Sequence, residues 1–139
     1  MKTRKATKED VEEIVKISKN IFPDTDWVNP KKLSRCLEEG KYSFVVEENG
    51  KIIAAVIAET DEEEQELVYI QYMGATKRGQ GIGTELLKRV EEEVKEHKKK
   101  GIMTDTENPR FYLKYGYKVC GFLYYGEDVT FVVKEFNYK

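Results

Sequence analysis

Apolar residues along the chain alternate between a helical and a strand period, and the switches outline the elements. Val11, Ile14, Val15 and Ile17 keep the spacing of one helical face. Thr7 stands where a cap belongs, so a helix ending near Asn20 follows a short strand over residues 2–6. Residues 21–30 break the pattern with Pro23, Pro30 and short polar residues, and Asn29-Pro30 supplies a cap and a first-turn proline for a second helix that stops at Gly40. Strands over 42–47 and 51–59 flank Glu48-Asn49-Gly50, whose Asn-Gly pair is a strong hairpin signal. An acidic turn over 61–64 leads to a strand over 65–75. A helix over 84–99 then carries Leu86, Leu87, Val90 and Val94 on its buried face, with Gly101 expected to end it. A brief strand at 102–104, a short helix at 109–115 and strands at 118–124 and 129–136 complete the reading.

Hairpins at both ends, with a strand-helix-strand crossover between them, imply an α/β (α+β) fold: a central, mostly antiparallel mixed sheet with helices on both faces. At 139 residues the chain is expected to be one domain over 1–139, long enough to bury about two-thirds of its unfolded surface. A net charge of −2, with acidic and basic residues interleaved, gives no field that would draw nucleic acid. Cys36 and Cys120 are too few and too far apart for a zinc site, and His97, the chain's one histidine, is not in ligand spacing with either. No metal is expected, both thiols are expected buried and reduced, and His97 is given no role. No run approaches the roughly 18 apolar residues of a membrane span, and Met1-Lys2-Thr3-Arg4-Lys5 does not open a signal peptide, so the expected location is cytoplasmic.

The most specific stretch joins the strand over 65–75 to the following helix. Lys77 and Arg78 precede Gly79, Gly81 and Gly83, so backbone N–H groups and the positive end of a helix can face one anion. Two familiar phosphate loops do not fit. Gly74 and Gly79 have a P-loop's separation, but Gln80 stands where its lysine must be. A dinucleotide fingerprint needs glycine where the chain has Thr84, and an acidic residue where it has Lys98-Lys99-Lys100. What remains is Arg78-Gly79-Gln80-Gly81-Ile82-Gly83, which resembles the acyl-CoA-binding motif of the GNAT superfamily of N-acetyltransferases. Asn108, Tyr112 and Tyr115-Gly116-Tyr117 resemble the signature that follows in that family, and the likeness runs over about residues 41–136. Asn108 and Tyr112 stand closer together than the family's interval, with Pro109 between them.

The resemblance implies a GNAT-like acyl-CoA N-acyltransferase fold, with acetyl-CoA as co-substrate and an amine as acceptor. It implies that the turn of Arg78, Gly79, Gln80, Gly81, Ile82, Gly83 and Thr84 holds the pyrophosphate, with Asn108 contributing. Backbone groups at Gln71, Tyr72 and Met73 would pair with the pantetheine arm, beside a bulge at Gly74. Tyr112 is the candidate general acid for the leaving thiolate. Glu66 and Glu59 are candidates for the base, or else solvated strand ends. Acceptor recognition would fall to the loop with Asp24, Asp26 and Trp27 and to the last hairpin with Glu127 and Asp128, where carboxylates and an aromatic ring suit a cationic amine. These residues could equally form a structural turn. Direct attack in a ternary complex is expected, since no Cys or Ser lies in a nucleophile setting. The alternative is a module that senses acyl-CoA without turnover. A homodimer is compatible with either.

Overall fold

The computed structural model describes residues 1–22, 28–77, 79–124 and 128–138. Its strands are β1 (Lys2–Lys5), β2 (Phe44–Glu48), β3 (Lys51–Thr60), β4 (Leu67–Ala75), β5 (Gly101–Thr106), β6 (Lys118–Tyr124) and β7 (Asp128–Glu135). Its helices are α1 (Val11–Ile21), α2 (Pro30–Glu39), α3 (Ile82–Glu96) and α4 (Pro109–Leu113). The strands form one sheet in the order β1-β2-β3-β4-β5-β7-β6. All neighbouring pairs are antiparallel but β4 and β5, which run parallel and are joined through α3. The expected mixed, mostly antiparallel sheet is therefore the observed one.

Local chemistry accounts for most boundaries. The Asn29 carboxamide oxygen accepts from the N–H groups of Lys31 (2.9 Å) and Lys32 (3.3 Å), Pro30 follows it, and Gly40 closes α2 in the left-handed region at φ 66°. Asn49 and Gly50 have φ of 55° and 77°, which suits the tight β2–β3 hairpin. Two boundaries differ from expectation. Thr7 leads into a short 3₁₀ turn (Lys8–Asp10), and α1 starts only at Val11. Lys98, at φ 53°, turns the chain after α3, whereas Gly101 opens β5. A Cβ on Gly101 would lie 2.5 Å from the Lys134 carbonyl oxygen, so that glycine permits close strand approach and is not a helix stop.

The sheet separates two cores. One face packs Phe44, Val56, Val68, Ile70 and Ile102 against Leu86, Leu87, Val90 and Val94 of α3 and Tyr112 of α4. The other packs Val45, Ala55 and Ile57 against Ile14 and Ile21 of α1 and Leu33, Cys36 and Leu37 of α2. Cys36 is buried as expected, but Cys120 is exposed. The β6–β7 register shifts between Val119 and Gly121, which breaks the alternation at Cys120 on this edge strand. Among the described residues no helix is long and apolar enough to cross a membrane, and no group of His, Cys, Asp and Glu could hold a metal.

Candidate active site

The site grows out of β4. Its parallel ladder with β5 runs from Leu67 opposite Gly101 to Ile70 opposite Thr104 and stops there. Beyond that point β5 continues to Thr106 on β7, and β4 continues to Ala75 on β3. From Gln71 onward β4 therefore lacks a ladder partner on its β5 side, and a wedge opens in the sheet. Against β3, Ile57 pairs with Tyr72 and Ala58 with Ile70, so Gln71 is the extra residue of a bulge. The bulge thus falls at Gln71 and not at Gly74, which pairs in register with Ala55. Gly74 answers a different need: a Cβ there would sit 1.3 Å from the backbone carbonyl oxygen of Ile21, at the end of α1.

Past Ala75 the chain enters the glycine turn. Gly79 and Gly81 adopt φ of 77° and 70°, and a Cβ on either would meet nothing within 4 Å. Gly81 is the N-cap of α3 and offers no capping side chain. The N–H groups of Ile82, Gly83 and Thr84 accordingly have no partner within the helix. Free donors, an open surface and the helix dipole together suit a phosphate. The side chain of Ile82 is buried in the α3 core, so only its backbone faces the turn. Gln80 is exposed. Lys77 pairs with Glu48 of β2, and Arg78 lies outside the described residues. A Cβ on Gly83 would touch the Phe111 ring at 3.4 Å, and the Thr84 and Tyr115 hydroxyls are 2.7 Å apart, which ties the first turn of α3 to α4 and its continuation.

Tyr112 stands on the same face. It is 6% exposed and packed edge-on against Phe111 and Tyr117, with ring centroids at 5.1 and 5.4 Å. Burial raises the pKa of its phenol, partly opposed by the Thr104 hydroxyl, with the Asp105 charge adding to the rise. Thr104 is the last residue of β5 paired with β4, and its hydroxyl donates to the Ile70 carbonyl at 2.9 Å. Tyr112 is thus beside the point where the ladder opens, and it keeps its proton at ordinary pH. Asn108 is exposed at the N-terminus of α4 and makes no side-chain cap bond; its N–H donates to the Thr106 hydroxyl at 2.9 Å.

The opposite face, toward α1 and α2, carries an open cleft of about 450 Å³ bordered by Lys32, Arg35, Glu59, Asp61, Tyr69 and Gln71. Glu59 accepts from the Gln71 amide at 3.3 Å. Tyr72 turns to this side and lies 5.3 Å from the buried Phe22 ring, whereas Met73 packs toward α3. Glu66 is exposed in the turn before β4. Gln71 is five positions further on, about 16 Å along the strand, so Glu66 does not reach the opening by direct contact. Asp24, Asp26, Trp27 and Glu127 lie outside the described residues. Sequence reading missed one feature here: the Tyr69 hydroxyl of β4 donates to the Asp105 carboxylate of β5. Burial, then the Asp105 carboxylate, raises the pKa of Tyr69. Alternation along two adjacent strands is the signal that would have put these residues on one face.

A family model, the acetyltransferase (GNAT) domain, matches residues 5–135, a wider span than the motifs alone suggest. No curated protein matches the sequence. Among solved structures the chain is similar to the ribosomal-protein-alanine N-acetyltransferase from Brucella melitensis, with 21% identity over 98% of this chain and 100% of that one and a TM-score of 0.76. It is similar to Arabidopsis thaliana Naa50 in complex with the bisubstrate analogue CoA-Ac-MVNAL, with 21% identity, 97% and 98% coverage and a TM-score of 0.81. It is also similar to the Drosophila melanogaster polyamine N-acetyltransferase, with 13% identity, 97% and 99% coverage and a TM-score of 0.83. At these identities the structural likeness is one of fold, while the family model spans nearly the whole sequence. The open β4–β5 ladder, the bulge at Gln71 and the bare glycine turn thus occur in a chain that belongs to the GNAT family of N-acetyltransferases.

Proposed function

We propose that the protein transfers the acetyl group of acetyl-CoA to a primary amine by direct attack in a ternary complex. One observation carries this reading: the parallel ladder opens just before a side-chain-free helix N-terminus on the same strand. The pyrophosphate would take the N–H groups of the turn from Gly79 to Thr84, with Arg78 and Gln80 beside it and Asn108 across from it. The extended arm would use backbone groups of Gln71, Tyr72 and Met73 left free by the wedge. Attack on the thioester carbonyl builds negative charge on its oxygen, and a backbone N–H at the bulge is a preorganised donor of the kind that stabilises such charge. Tyr112, protonated beside the opening, gives its proton to the sulfur as the C–S bond breaks.

The acceptor enters from the cleft on the α1–α2 face, where Asp24, Asp26 and Trp27 would complete the wall. Glu59, which accepts from the Gln71 amide, places a carboxylate in that cleft. Glu66 would take part only through water. A cytoplasmic location and action as a single domain, as a monomer or homodimer, fit the reading.

The experiment is CoA release, followed with a thiol reagent, from acetyl-CoA and a panel of a diamine, a polyamine and a peptide with a free N-terminus. Turnover with one of them is expected. Tight acetyl-CoA binding without release across the panel would favour the sensing role.

A further inference from the structure

We infer that Asp105, held by the Tyr69 hydroxyl at the mouth of the β4–β5 opening, docks the acceptor's ammonium group and takes its proton before attack. The inference rests on the acetyltransferase reading and assigns that site a residue the motifs do not reach. Tyr69 and Asp105 lie on neighbouring strands at the last stretch of the parallel ladder, where Ile70 faces Thr104. Their hydrogen bond lies at the end of the ladder, on the face where Tyr69 borders the cleft. Tyr112 stands on the other side of the sheet, yet the Asp105 charge still acts on its phenol. One carboxylate is therefore electrostatically coupled both to a cleft-lining tyrosine and to the candidate acid.

Asp105 is exposed, so a proton it accepts can pass to water. The Tyr69 bond leaves lone pairs on the carboxylate free to accept from a cation in the cleft. The proton balance is simple. The ammonium gives one proton to Asp105, which releases it to solvent, and the neutral amine attacks the carbonyl. The C–S bond breaks with Tyr112 protonating the sulfur, and the second proton lost by nitrogen restores the phenol. Tyr69 acts through Asp105 and is a positioning residue. Other charged or titratable groups along the cleft beside Tyr69 are Asp61, which acts on its phenol, and Glu59, Glu62, Glu63, Lys32 and Arg35. On β7 the residue opposite Asp105 is Phe131, which carries no charge.

The test compares wild type with Asp105→Asn, Asp105→Glu and Tyr69→Phe, using the best amine among putrescine, spermidine and an alanine-led peptide. Acetyl-CoA affinity is measured in parallel by calorimetry. Asp105→Asn should lower kcat/KM about 10²- to 10³-fold, within the range of general base catalysis, with acetyl-CoA affinity unchanged. Its rate should then climb with pH toward the amine's own ionisation, about 8 for a peptide terminus and about 10 for an alkylamine, where wild type levels off earlier. Asp105→Glu should recover part of the loss, and Tyr69→Phe should fall about 10-fold with a displaced pH profile. Asp105→Asn within about threefold of wild type and with the same pH profile overturns the inference while leaving the acetyltransferase reading intact. Wild-type protein that releases no CoA with any of the amines overturns that reading, and the inference with it.

Discussion

Replacing Gly74 by alanine tests whether α1 is locked to the reacting strand. The added Cβ would lie 1.3 Å from the Ile21 carbonyl oxygen and 2.4 Å from its carbon, whereas ordinary contact begins at 3.4 Å, so roughly 2 Å would have to be recovered. Neither partner yields easily. Gly74 of β4 pairs in register with Ala55 of β3, and Ile21 is fully buried at the last turn of α1. Overpacking a core normally costs about 1–3 kcal/mol. A clash between two backbones, with no side chain to rotate away, belongs at about 3 kcal/mol or above. Any relaxation moves the end of α1, and with it the Phe22–Tyr72 ring pair. A displacement of about 1 Å in positioning elements can cost on the order of 10²-fold in rate. Urea denaturation of Gly74→Ala, paired with kcat/KM for the acceptor, reads both effects. Wild-type stability together with wild-type KM for the amine would refute the close approach of α1 to β4.

At the glycine turn, Gly81→Val should cost about 1–2 kcal/mol, because φ 70° is left-handed and unsuited to a branched side chain, and it should abolish acetyl-CoA binding. Gly81→Asn tolerates that conformation better and should stay folded while still failing to bind; normal calorimetric affinity in this variant would remove the turn from the site. Tyr112→Phe should lower the single-turnover rate by about 10²- to 10⁴-fold without changing acetyl-CoA affinity. Since burial raises the Tyr112 pKa, the wild-type rate should show no loss from phenol ionisation below about pH 10; an unaltered single-turnover rate in the variant would leave Tyr112 as packing. Arg4 donates twice to Asp10, both at 2.8 Å, and this holds the Asp10 pKa below the usual carboxylate range. A depressed carboxylate stabilises the fold above its unfolded pKa of about 3.9 and loses that contribution as pH falls through the lower folded value. Arg4→Ala should therefore lower the melting temperature at pH 7 and much less near pH 2; equal losses at both would contradict the pairing.

Several elements were legible because one residue type decides them locally. The Asn29 cap, the left-handed Gly40 and the Asn49-Gly50 turn are cases where short-range sterics and hydrogen bonds leave few alternatives. The glycine turn belongs with them: missing side chains ahead of a helix are visible in a string of letters. Gly101 and Gly74 were misread for the converse reason. Each looked like a local device, a helix stop or a bulge, whereas each serves close contact with a distant backbone, that of Lys134 in one case and Ile21 in the other. Cys120, expected buried like Cys36, is exposed on β6, where a register shift that only pairing with β7 creates breaks the alternation.

For the chemistry, motif spacing along a continuous stretch was enough to point to the family, to the bare glycine turn ahead of α3 and to Tyr112 as a candidate acid. Only the tertiary arrangement sets which carboxylates lie near the β4–β5 opening. Glu66 lies next to β4 in sequence but about 16 Å along the strand from the opening, while Asp105 is 36 positions from Tyr69 and hydrogen-bonded to it. The physical reason lies in the β4–β5 pairing: parallel strands joined through a helix bring together residues far apart in the chain, and the ladder's end at Ile70 and Thr104 fixes where the sheet opens between them.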